Sequence, residues 1–93
     1  MNIPKSSIEK AKRLLSTVLD ETPLQYSRRL SIKYDADIYL KREDLTMVRS
    51  FKIRGAYYKM SLLTPAQKKK GVVCASAGNH AQGAAYACTQ LKV

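Results

Sequence analysis

The sequence predicts an α/β protein built on a parallel sheet with flanking helices. Three observations carry this. Apolar or small residues recur at helical spacing in three segments, 7–19, 50–63 and 79–91. Two short runs, DIYLKR and VVCA, read as strands between them. The resulting order is helix, strand, helix, short helix, strand, helix.

The elements follow from local chemistry. Ser6 and Glu9 have capping-box spacing, and Ile8, Ala11, Leu15 and Val18 or Leu19 form an apolar stripe, which predicts a helix over 7–19. Thr22-Pro23 ends it and favours an extended segment through Leu24-Gln25. A short helix is expected over 27–34 and a strand over 37–42, with Ile38 and Leu40 on one side and Tyr39 on the other. Ser50 is placed to cap a helix reaching Leu63, with Ile53, Ala56, Tyr57 and Met60 inward. Thr64-Pro65-Ala66-Gln67 carries a Thr cap, Pro in the first turn and Gln at the third position, so a second short helix starts there and stops at Gly71. Residues 72–75 read as a buried parallel strand. The last helix presents Ala81, Ala84, Ala85 and Cys88, small side chains that let a neighbour approach closely.

Length and composition bound the rest. A chain of 93 residues makes one domain at most, and 45% apolar residues is ordinary for a folded protein. No apolar block has signal-peptide or membrane-span character, so a cytoplasmic protein without a membrane partner is expected. Cys74 and Cys88 have no zinc spacing and are expected to be reduced and largely buried. The net charge of +10 would suit a nucleic-acid or other polyanion partner. The basic residues are spread from Lys5 to Lys92, however, and the one run of three, Lys68-Lys69-Lys70, falls on a short solvated helix. No nucleic acid is expected as partner. The sheet also looks unfinished, so residues 1–93 read as a single N-terminal fragment of a larger catalytic domain.

Two stretches can carry chemistry. In SFKIRGAYYKM, Lys52 falls in the first turn of a helix, where the positive helix end, Arg49 and Arg54 all favour a neutral amine. A neutral amine is what Schiff-base chemistry needs; a plain surface lysine is the alternative. Gly55 lies within that helix and suggests close approach by another group. In ASAGNHAQG, between strand and helix, unpaired N–H groups, Ser76, Gly78 and Asn79 make a natural site for a carboxylate or phosphate; an unliganded turn is the alternative. Neither P-loop nor dinucleotide spacing is present. His80 is read as a structural histidine rather than a base, and Tyr57 as a core residue.

With Asn79 following Lys52 by 27 positions, the two motifs together are distinctive. The sequence resembles the fold-type II (tryptophan synthase β-like) pyridoxal-phosphate enzymes, and within them the threonine dehydratases. The form VRSFKIRGAYYKM favours that group, with serine racemase and the catabolic serine/threonine dehydratases as close alternatives. The resemblance implies pyridoxal 5'-phosphate as cofactor and no metal. It implies that Lys52 binds the cofactor covalently and is the catalytic base, that Phe51 packs beside the ring, and that Asn79 hydrogen-bonds its hydroxyl. Ser76, Ala77, Gly78, Asn79 and His80 would hold the substrate carboxylate. The implied reaction turns L-threonine, with L-serine as a second candidate substrate, into 2-oxobutanoate or pyruvate and ammonia, a step of isoleucine biosynthesis, in a homo-oligomeric protein. The Gly-rich phosphate loop, the Ser or Cys facing the pyridine nitrogen and any regulatory domain are absent from the sequence, so the chain alone is expected to be inactive.

Overall fold

A computed structural model describes residues 2–93. The chain runs α1 (Lys5–Leu15), β1 (Leu24–Tyr26), α2 (Arg28–Tyr34), β2 (Tyr39–Lys41), a 3-10 turn (Glu43–Leu45), α3 (Lys52–Ser61), α4 (Pro65–Lys70) and α5 (Asn79–Leu91). Helix α3 is the centre. It packs against α5 on one side and α1 on the other, while α2 and α4 lie outside this packing. Leu15, Tyr57, Met60 and Ala87 form the core, sealed by Leu14, Val18, Leu19, Leu63 and Leu91. Ile53, fully buried, continues the same face of α3. The stripe read over 50–63 therefore does face inward.

The only sheet among the described residues is antiparallel and two-stranded. It pairs Leu24 with Lys41, Gln25 with Leu40 and Tyr26 with Tyr39. The Tyr26 and Tyr39 rings meet edge to face at 5.3 Å, a cross-strand contact that fixes the register. Between the strands, Ser27 caps α2 by accepting from the Leu30 N–H, and the buried Ser31 hydroxyl accepts from the Ile38 N–H at 2.9 Å.

Several sequence expectations need correction. Residues 72–75 belong to no strand or helix, and Val73 is 100% exposed. A strand forms only when another strand satisfies its backbone groups, and neither β1 nor β2 pairs with residues 72–75. The predicted parallel sheet is thus not formed among the described residues. For the same reason Cys74 is exposed, while Cys88 is half-buried. At α1 the cap position falls to Pro4, with no side-chain cap; Glu9 pairs with Lys5 at 3.6 Å instead of closing a box with Ser6. On α5 the buried residues are Gly83, Ala84 and Ala87, and Ala85 faces solvent. The α4 reading holds: Thr64 and Gln67 form a reciprocal capping box, and Gly71 ends the helix at φ 79°.

The radius of gyration is 16.2 Å, against about 12 Å for a compact domain of this length. Large apolar side chains, among them Phe51, Leu62 and Val72, remain at the surface. No helix among the described residues is long and apolar enough to cross a membrane.

Candidate active site

Lys52 opens α3 and Asn79 opens α5, and close packing of the two helices brings these starts together. The cause is Gly83. A Cβ at Gly83 would lie 3.2 Å from the Ile53 Cα and backbone N, and 3.3 Å from the Lys52 carbonyl carbon. Those are backbone atoms, which cannot swing aside as a side chain can. The small residue therefore sets how closely α5 lies against the first turn of α3.

A shallow cavity of about 410 Å³ opens at this junction, lined by Phe51, Lys52, Arg54, Gly55, Ala56 and His80. Lys52 contributes the one primary amine among them and is exposed. Phe51 is 61% exposed beside it, a flat apolar side chain left open to a ligand. His80 reaches the cavity from α5, while Ser76, Ala77, Gly78 and Asn79 do not line it. Gly55 meets no heavy atom within 4 Å, so the close approach expected there does not occur; its missing side chain leaves space in the cavity wall.

The loop before α5 is organised by Ser76. Its hydroxyl oxygen accepts from the Gly78 N–H at 3.3 Å and the Ala81 N–H at 3.2 Å. Two donors expected to meet an anion are thus held by the loop itself. Asn79 and His80, the first two residues of α5, present N–H groups with no acceptor inside the helix.

The segment entering α3 is held just as firmly, and the sequence reading missed this. The Thr46 hydroxyl donates to the Ser50 carbonyl at 2.8 Å and accepts from the Ser50 N–H at 3.1 Å, both residues being buried. Between them Arg49 takes φ 61°, a left-handed conformation costly for a side-chain-bearing residue. Ser50 stands one residue before the cap position, which Phe51 occupies, and its hydroxyl accepts from the Lys52 N–H at 3.4 Å. A Thr four residues before the expected cap Ser was the available signal.

Arg54 was expected to oppose a charge on Lys52. Its guanidinium instead grips Glu43, Nε to Oε2 at 2.6 Å and Nη2 to Oε1 at 2.9 Å, which offsets its charge. The Arg54 hydrogen bond, aided by one from Thr22, holds the Glu43 carboxyl below its ordinary value of 4.5 despite partial burial. A carboxyl with a lowered folded value stabilises fully above the unfolded value and loses that contribution as pH falls through the folded one. Denaturation followed from about pH 6 to 3 should show this loss, and Glu43→Gln should flatten that part of the profile. An unchanged profile would mean the pair contributes nothing.

Comparison with known proteins is consistent with this architecture. A family model described as "Pyridoxal-phosphate dependent enzyme" matches residues 15–93. The chain is 57% identical over 91 residues to the biosynthetic L-threonine dehydratase of Lactococcus lactis subsp. lactis (strain IL1403), covering 98% of this chain and 22% of that protein. Among solved structures, maize serine racemase superimposes with TM-score 0.86 at 31% identity, covering 95% of this chain and 28% of that one. The processed form of threonine deaminase isoform 2 from Solanum lycopersicum superimposes with TM-score 0.75 at 38% identity, covering 98% and 28%. The chain thus spans less than a third of each of these relatives, with the α/β fold-type II architecture over that stretch. The chain belongs to the pyridoxal-phosphate dependent enzyme family.

Proposed function

We propose that this chain supplies the lysine-bearing half of a threonine dehydratase site, which deaminates L-threonine, and L-serine as a second substrate, to a 2-oxo acid and ammonia. The observation that carries this is the Gly83 contact, which joins the start of α3 to that of α5 at one cavity.

The residues present fit the ring end of pyridoxal phosphate. Lys52 offers an amine for its aldehyde and Phe51 an apolar flank, both at the cavity, while Asn79, next to the cavity-lining His80, carries the amide that the family resemblance assigns to its hydroxyl. A phosphate cradle is not found among the described residues, whose glycines at 55, 71, 78 and 83 form no cluster. The cofactor, when bound, supplies an electron sink for charge developing at the substrate Cα.

This chain's own part is to hold and to move a proton. The N–H groups of Asn79 and His80, with the Ser76 hydroxyl hydrogen still free to donate, would bind the substrate carboxylate. Lys52 Nζ would accept the Cα proton. Loss of the β-hydroxyl as water, and uptake of water to release ammonia, complete the balance. The structural likeness to serine racemase favours one second reading, in which the Cα proton is returned on the opposite face and serine is inverted. Formation of D-serine without ammonia would favour it. We take the complete protein to be cytoplasmic and homo-oligomeric, in line with the family resemblance, and residues 1–93 to be part of its catalytic domain.

The test is trapping. The chain is mixed with pyridoxal phosphate, reduced with borohydride, and the modified lysine located by peptide mass spectrometry. Modification centred on Lys52, lost in Lys52→Ala, is expected, with no ammonia released by this chain alone. Labelling scattered over the exposed lysines would sink the assignment.

A further inference from the structure

We infer that Glu43, through its grip on Arg54, is the positioning residue that aims Lys52 into the cavity; this rests on the role of Lys52 proposed above. Arg54 lies two residues after Lys52 in the first turn of α3. At 3.6 residues per turn, their side chains leave the helix about 200° apart. Arg54 borders the same cavity as Lys52 from its far edge, so anchoring its guanidinium on Glu43 fixes the rotation of the turn and with it the direction in which Lys52 leaves the helix.

The anchor is built to resist rotation. Two parallel hydrogen bonds join a planar guanidinium to a planar carboxylate, where a lysine would offer a single point of contact. Glu43 is itself held, because the Thr22 hydroxyl, on a residue only 7% exposed, donates to Oε1 at 2.5 Å. Lys41 Nζ donates to the Thr22 carbonyl at 2.5 Å. The segment before β1, the end of β2 with the turn after it, and α3 thus converge on one carboxylate. Glu43 does not line the cavity, so it acts through Arg54 and not on a ligand.

The test compares two lysines of one helix. After pyridoxal phosphate and borohydride, labelling of Lys52 is divided by labelling of Lys59, which is exposed near the other end of α3. Acetic anhydride, lacking ring and phosphate, is the second probe. Glu43→Gln is expected to lower the pyridoxal phosphate ratio about tenfold while the acetylation ratio holds within about twofold. Arg54→Lys, which keeps the charge and loses the fork, should lower the first ratio in the same direction, and Glu43→Asp should restore part of it. An unchanged pyridoxal phosphate ratio in both Glu43→Gln and Arg54→Lys, or a parallel fall with both probes, would overturn the positioning role. A wild-type chain with no preference for Lys52 would instead sink the functional reading, and the positioning role with it.

Discussion

Replacing Lys52 with alanine is expected to abolish ammonia release from L-threonine in a complete enzyme carrying this chain. A suitable host is a chimera in which these residues replace the matching 91 residues of the Lactococcus lactis relative, whose 57% identity favours a compatible interface. Loss of a proton-transferring group costs about 10²- to 10⁴-fold, and Lys52 is assigned both that transfer and the attachment of the cofactor. A drop at the upper end of that range or beyond is therefore expected in kcat. Lys52→Arg should be as inactive, since guanidinium stays charged and forms no Schiff base. If the Lys52→Ala chimera kept a tenth of the parent rate, Lys52 would not be the proton-accepting group.

Gly83→Ala should destabilise the chain, although alanine is the better helix former. The propensity gain is about 1 kcal/mol. Against it stands a methyl group 3.2 Å from the α3 backbone, and overpacking of this kind costs about 1–3 kcal/mol. The clash is with backbone, so α5 must shift as a whole, and the larger figure should prevail. The Lys52 labelling preference should fall with it, because α5 would move from the cavity edge. Gly55→Ala is the control. It gains the same propensity and meets nothing within 4 Å, so it should stabilise the chain by up to about 1 kcal/mol. Thermal denaturation of the two variants in parallel decides the matter. A stabilised Gly83→Ala would show that the contact relaxes freely and does not set the helix spacing.

Helices were legible in the sequence because their signals are local. The Thr64–Gln67 box and the apolar stripe of α3 each lie within a few residues and each appears in the structure. Residues 72–75 carry an equally clear strand composition and yet form no strand, because ladder hydrogen bonds must come from elsewhere. The site shows the same division. Lys52 and the 76–80 loop were found as motifs, but Ser76 turned out to commit its acceptor to its own loop, and Arg54 to be held by Glu43.

The order of residues was enough to show which groups can react and which segments coil: an amine at a helix start, a polar turn before a second helix, and the family both belong to. Folding in three dimensions was needed to show that Gly83 seats one helix start on the other, that Thr46 and Ser50 lock a left-handed Arg49, and that Thr22, Glu43 and Arg54 meet. The difference is one of range. Capping and periodicity act over one or two turns, whereas a missing Cβ or a shared carboxylate matters only when distant segments arrive at the same place.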